Sequence, residues 1–207
     1  MTADVFSRIY ATNAWNGVES RSGPGSGAAA TRRLAADIIA LVDELGVRSV
    51  LDAACGDGYW MPDLPGYTGI DVAPEAIAIA RRSHPERRYL VGSLAMVRLP
   101  RADLVILRDA LQHLSLRDGM AALAAVVESG PRWLLASTYV GADNEDIPTG
   151  ECYAPNLEAP PFSLGHPVRL IFDGYHYHDH DTDQVRDPRK HLGLWAIGPV
   201  DGRRSNT

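Results

Sequence analysis

The sequence predicts a parallel α/β sheet of about seven strands, wound with helices on both faces and closed by a terminal antiparallel strand. Three observations predict it. Short apolar runs alternate with helix-period stretches from Thr31 to Tyr139, the rhythm of parallel strands joined by crossover helices. The first run ends in an acid and a glycine turn, Asp52-Ala53-Ala54-Cys55-Gly56-Asp57-Gly58, as parallel sheets do where a ligand meets the carboxyl edge. After Tyr139 the alternation stops, and two later runs, Val168 to Asp173 and Leu192 to Ile197, have no full helix between them. That suits an antiparallel hairpin.

Each element has its own signature. Leu34, Ile38, Leu41, Val42 and Leu45 recur at helical spacing, with Thr31 as the expected cap and Gly46 as the stop. Ser49 to Asp52 reads as the first strand and Tyr67 to Asp71 as the second. Pro74 opens a helix carrying Ile77 and Ala80. Arg88 to Val91, Asp103 to Leu107 and Trp133 to Thr138 supply three more strands. Between the last two, Leu116 to Glu128 forms a helix for which Ser115 and Asp118 resemble a capping box. Residues 141 to 166 are rich in Pro, Asn, Asp and Gly and read as a long ordered loop, a feature that is commonly functional.

The ends differ in texture. Asp4 to Tyr10 suits a short helix, Trp15 follows, and Ser20 to Gly27 is too glycine-rich for helix or central strand. Composition alone reads residues 1–30 as a flexible leader, and a tryptophan beside a glycine loop reads as a cap or lid. Residues 31–200 then form the ligand-binding domain, and 201–207 a frayed tail.

Composition narrows the function. The 207 residues carry 20 Lys+Arg against 26 Asp+Glu, a formal charge of -6. This disfavours a duplex-binding surface, which usually brings a pI above about 9; no nucleic-acid partner is expected. Two cysteines, Cys55 and Cys152, exclude a secreted disulfide framework. No run approaches the roughly 18 apolar residues of a membrane span, and Asp4 interrupts any signal-peptide pattern. The expected setting is the cytoplasm. Lys190 is the only lysine, a bias read as GC-rich coding.

The glycine turn and Asp71, which ends the second strand 19 residues after Asp52, point to an adenine nucleoside whose ribose hydroxyls the carboxylate accepts. A dinucleotide wants a third small residue where this chain has Met61 after Trp60. S-adenosylmethionine has no pyrophosphate and tolerates that bulk, so a nicotinamide oxidoreductase falls behind.

Leu51 to Gly58, Tyr67 to Asp71 and Asp103 to Leu114 resemble the successive motifs of class I S-adenosylmethionine-dependent methyltransferases, a Rossmann-like family. The leader, the Cys-Gly-Asp turn with Trp60-Met61, and Asn156-Leu157 with Pro160-Pro161-Phe162 are similar to a group of small bacterial and fungal members. The resemblance implies a cofactor site. Asp52 and the backbone of Ala54, Cys55, Gly56 and Gly58 would line the methionine and ribose, and Asp71 would hold the ribose. Val72 would pack on the adenine, Ser93 and Leu94 would meet its edge, and Arg108 would offer its carbonyl to the amino group. Two positions depart from the family. Ala54 stands where a glycine is usual, which is tolerable where its dihedrals are ordinary, and Ser93 stands where an aspartate commonly binds adenine.

Methyl transfer to a hydroxyl also needs a proton acceptor. Asp109 and His113, four residues apart after the fourth strand, would share a face if the turn is helical. A helix cap and a structural histidine are their plain alternatives. Trp15 and Trp60 would cover the sulfonium or simply fill the core. Tyr139, Asn144, Tyr153, Asn156, Phe162 and His176 are expected to wall an acceptor pocket, with Glu145 and Asp146 beside Asn144. His176, His178 and His180 alternate with acids, but their order does not match binuclear hydrolases, so no metal is expected. Asn156 with Pro160-Pro161-Phe162 is too late in the chain for an adenine-methylating motif. The function read from the sequence is S-adenosylmethionine-dependent methylation of a small molecule or short peptide in specialised metabolism, with oxygen slightly favoured over nitrogen as the acceptor atom. A non-catalytic cofactor-binding module is the alternative.

Overall fold

The computed structural model describes residues 2–174 and 187–198. One seven-stranded sheet runs β3-β2-β1-β4-β5-β7-β6, built from β1 (Val50–Ala53), β2 (Thr68–Asp71), β3 (Arg88–Val91), β4 (Leu104–Leu107), β5 (Trp133–Tyr139), β6 (Arg169–Phe172) and β7 (Lys190–Ala196). The first five strands are mutually parallel, and β7 inserts antiparallel between β5 and β6. The late hairpin expected from the sequence is therefore present. Its second strand is the inner one.

The strands are apolar throughout because both faces are covered. In β4, Leu104 and Ile106 pack with Leu34, Ile38, Leu41 and Ile77, while Val105 and Leu107 pack with Leu123 and Val126. Helices α2 (Ala28–Glu44) and α3 (Pro74–Ser83) thus cover one face and α4 (Leu116–Glu128) the other. Each fully buried leucine contributes roughly 1.5–3 kcal/mol relative to exposure.

Boundaries differ from the sequence expectation in one instructive place. Helix α2 begins at Ala28 rather than beyond Thr31, with Gly27 as its N-cap. Thr31 lies inside the first turn and donates its hydroxyl to the Gly27 carbonyl at 2.9 Å. Ser115 does cap α4, accepting the Asp118 N–H at 3.2 Å. The box is not closed: the Ser115 N–H donates to Thr149 Oγ1 at 3.1 Å, and the Asp118 carboxylate, at the wall of the ligand-side cleft, accepts the Thr2 and Thr149 hydroxyls at 3.1 and 3.0 Å.

The leader is ordered. Helix α1 (Thr2–Thr12) and a 3₁₀ turn at Pro24–Ser26 lie over the carboxyl edge of the sheet, with Tyr10 buried against Ala73 and Ala76 beside Phe6 and Trp15. Among the described residues no helix is long and apolar enough to cross a membrane. The tail 201–207 lies outside the described residues, as does the histidine-rich stretch with His176, His178 and His180.

Candidate active site

Parallel strands end together, so the loops after β1, β2, β4 and β5 converge at one edge. There they meet α1 and the leader and enclose a cleft of about 1190 Å³. Single-ligand sites run from about 300 to 1,000 Å³, so the cleft has room for two bound molecules.

At its inner end is the turn after β1. Gly56 has φ +59°, and a Cβ built on it would lie 2.3 Å from Ser22 Oγ and 2.6 Å from Tyr10 Oη. No side chain fits. The Gly56 N–H donates to Asp71 Oδ2 at 2.9 Å, and the Ala73 N–H donates to Oδ1 at 2.8 Å. Burial pushes the Asp71 carboxyl up to about 6, against the pull of these backbone donors. A carboxylate offers about four lone-pair positions, so acceptor capacity remains for ligand hydroxyls. Val72, Ser93 and Leu94 line the cleft beside it.

Ala54 adopts φ +63°, a left-handed conformation that costs an L-residue roughly 1–2 kcal/mol. The condition under which an alanine is tolerable there, ordinary dihedrals, is not met. The alanine holds the shape of the glycine it replaces, under strain.

Two residues of the turn face away from the cleft. Asp52 is buried in β1, where its Oδ2 accepts the Tyr67 hydroxyl at 2.8 Å. Burial pushes its carboxyl up to about 7. Gly58 sits against the α3–β3 layer, where a Cβ would lie 2.9 Å from Tyr89 Oη. Both shape the turn from beneath, and neither lines the cleft.

The far wall carries the titratable groups. Arg108 donates from Nε and Nη2 to the two Asp173 oxygens at 2.9 and 3.0 Å, and from Nη2 to the Gly25 carbonyl at 3.0 Å. Its guanidinium lies 4.8 Å over the Trp60 ring, which gives that face of Trp60 to Arg108. Lys190 Nζ reaches Asp109 Oδ2 at 2.8 Å and Asp173 Oδ2 at 3.0 Å. Two cations and two carboxylates form one cluster, joining β4, β7, the end of β6 and the leader.

This cluster removes Asp109 from the expected role of base. Burial raises its carboxyl, but Arg108 and Lys190 outweigh burial and hold it well below the usual carboxylate range. Its φ is +53°, and the following residues form a short 3₁₀ turn, Leu111–His113. The helical face that Asp109 and His113 were expected to share is therefore not formed.

His113 is placed differently. Its Nδ1 lies 2.9 Å from the Glu151 carbonyl oxygen, which only accepts, so Nδ1 carries the proton. Nε2 is then an acceptor, 3.2 Å from Gln112 Nε2, and Gln112 Oε1 accepts the Tyr139 hydroxyl at 3.4 Å. Burial is the main cause that lowers the His113 pKa, favouring the neutral ring. Trp15 packs on that ring with centroids 5.0 Å apart.

Of the expected acceptor residues, Tyr139 lines the cleft and four do not. Asn144 and Asn156 clasp the 141–166 loop: Asn144 Nδ2 donates to the Asn156 and Pro160 carbonyls, and the Asn156 N–H donates to Asn144 Oδ1. Phe162 packs beside Gly119 of α4. Tyr153 is buried behind the wall, its N–H donating to the Gln112 carbonyl at 3.0 Å. The cleft is walled instead by Thr149 to Cys152 of the same loop. His176 lies outside the described residues.

Residues 50–130 match the model of a methyltransferase domain. Magnesium protoporphyrin IX methyltransferase from Synechocystis PCC 6803, crystallised with S-adenosylmethionine, superposes with TM-score 0.60 at 16% identity, over 82% of this chain and 80% of that one. The fold is that of a class I methyltransferase. A bacterial Hen1 methyltransferase domain shares this methyltransferase fold with TM-score 0.56 at 16% identity, over 81% of this chain and 98% of that one. A protein whose structure concerns conversion of a disulfide into a thioacetal during echinomycin biosynthesis gives 0.53 at 17%, over 78% and 80%. No curated protein matches the sequence.

Sequence reasoning did not single out Tyr10, Ser22, Asp57, Gln112, Glu151, Asp173 or Lys190 as site residues. Lys190 carried a signal in being the only lysine. Asp57 carried another, an acid inside a glycine turn followed by apolar residues.

Proposed function

We propose that the protein is an S-adenosylmethionine-dependent methyltransferase whose acceptor is a hydroxyl group of a small molecule. The observation that carries the reading is Asp71, a buried carboxylate with spare acceptor capacity beside a turn that admits no side chain at Gly56. Those residues fit a nucleoside. Asp71 would accept the ribose hydroxyls, Val72 and Leu94 would flank the adenine with Ser93 at its edge, and the backbone of Ala54 to Gly56 would lie along the amino-acid arm. Bound there, the sulfonium supplies a methyl group already activated for in-line displacement.

The chain's own work is at the far wall. His113 Nε2, its proton committed to Nδ1 by the Glu151 carbonyl, would take the proton of the acceptor hydroxyl as the new carbon–oxygen bond forms. General-base assistance of this kind contributes on the order of 10²–10⁴ in rate. Trp15 and Tyr139 would sandwich the acceptor's approach, and Gln112 would yield Nε2 to the incoming hydroxyl. The cleft volume supports a small acceptor held beside the cofactor. The similarity to a structure from echinomycin biosynthesis supports specialised metabolism as its setting.

Calorimetry with S-adenosylhomocysteine tests the first half, and methyl transfer from labelled S-adenosylmethionine to a panel of phenols, hydroxy-peptides and matched amines tests the second. Binding together with transfer to hydroxyls is expected. Binding with no transfer to any acceptor would make the protein a cofactor-binding module, and transfer to amines alone would overturn the hydroxyl assignment.

A further inference from the structure

Asp57 is buried, and its carboxylate is taken up by the leader. Ser20 Oγ donates to it at 2.8 and 2.9 Å, the Arg21 N–H at 2.7 Å and Ser22 Oγ at 3.2 Å. Tyr10 Oη lies 2.8 Å from Ser22 Oγ. The Asp57 N–H donates in turn to Ser22 Oγ at 3.3 Å. Ser22 has one proton for two acceptors, Asp57 and Tyr10, and either hydroxyl of the Tyr10–Ser22 pair can be the donor; these bonds use up Ser22 Oγ, while the Tyr10 oxygen keeps capacity for a further partner.

These hydroxyls stand over the cofactor turn. Ser22 Oγ and Tyr10 Oη occupy the space that a side chain at Gly56 would fill, and both residues line the cleft next to Asp71. A leader that only needed packing could be held by apolar contacts, at no cost for burying a charge. A linked set of hydroxyls on the ligand side of a turn does something packing does not: it holds a hydrogen-bonding group toward a polar ligand.

We propose that Tyr10 is a contact residue of the nucleoside site, its hydroxyl hydrogen-bonding a polar group of the bound sulfonium nucleoside, and that Ser22 and Asp57 are the positioning residues that hold it there. The inference rests on the cofactor reading above. It assigns the leader a share of ligand recognition rather than cover alone.

The test measures S-adenosylhomocysteine affinity of the full chain by calorimetry. Tyr10→Phe, Ser22→Ala and Asp57→Asn are each expected to weaken binding about five- to tenfold, the size of one lost hydrogen bond. Adding Tyr10→Phe to Asp57→Asn is expected to cost less than a further twofold, because the second change removes what the first has already misdirected. Val126→Ala, a cavity at the far end of α4, lowers stability and is expected to bind as wild type does. Wild-type affinity in Tyr10→Phe overturns the contact assignment, and wild-type affinity in Ser22→Ala or full additivity in the double variant overturns the positioning role. Equal weakening by Val126→Ala makes the effect one of stability and overturns both. A wild-type protein that binds no S-adenosylhomocysteine fails the cofactor reading itself, and this is seen before any variant is made.

Discussion

Replacing Lys190 with methionine keeps the length of the side chain and removes one of the two cations in the buried cluster. Lys190 Nζ lies 2.8 Å from Asp109 and 3.0 Å from Asp173. At an effective dielectric of about 20, each such pair attracts by about 6 kcal/mol, offset by several kcal/mol for desolvating the ammonium. Removing one partner of a buried pair costs about 3–5 kcal/mol, because a carboxylate is left uncompensated. Side-chain exposures of 13% for Lys190 and 19% for Asp109 admit some water, which places the expected loss near 3 kcal/mol, the low end of that range. The loss also depends on pH. In the native protein the depressed Asp109 contributes stability that is present above its unfolded pKa and lost as pH falls through its folded one. Without Lys190, burial opposed by Arg108 alone lifts the carboxyl, and the folded variant takes up a proton before its unfolded chain does. The deficit therefore narrows as pH falls from 7 to 4.5. Urea unfolding at the two pH values measures it. A loss under about 1 kcal/mol, or one that is equal at both, would refute the description of a coupled buried cluster.

Three further outcomes follow from single positions. Asp52→Asn keeps the acceptor for Tyr67 and removes a carboxyl raised to about 7; it is expected to stabilise the protein at pH 8, by an amount that fades by pH 5, since a raised acid costs stability as pH climbs through its folded pKa. Affinity for S-adenosylhomocysteine stays unchanged in that variant, and a tenfold loss would return Asp52 to the cleft wall. Ala54→Gly relieves roughly 1–2 kcal/mol of left-handed strain and gives back about 0.4–1 kcal/mol in unfolded-state entropy, so thermal unfolding should show a net gain of up to about 1.5 kcal/mol; a clear destabilisation would contradict φ +63°. His113→Gln is expected to lower the rate of methyl transfer about 10²–10⁴-fold while sparing cofactor affinity, and the wild-type rate should hold its plateau to lower pH than an unperturbed histidine allows, because the His113 pKa is lowered.

The sheet was legible because strands buried on both faces leave unbroken apolar runs, and Leu104 to Leu107 is such a run. The turn was legible because Gly56 must be glycine and Asp71 must follow at the next strand end. The acceptor wall was less so. Asn144 and Asn156 are polar residues in a long loop, and composition cannot distinguish a loop that binds ligand from one that binds itself; here their amides satisfy backbone carbonyls. Asp109 was misread for a related reason. Its carboxyl is held down by Arg108 beside it and by Lys190, 81 residues away in sequence, and no local pattern announces the second pairing. The leader reads as flexible from its glycines, yet Asp57 supplies the partner that orders it.

The decisive measurement is a calorimetric titration of wild type and Asp71→Asn with S-adenosylhomocysteine. One molecule bound per chain by the wild type, with affinity at least tenfold weaker in a folded Asp71→Asn, is the expected result. No heat of binding from a folded wild-type protein, or equal affinity in the two, would contradict the placement of a nucleoside at this turn.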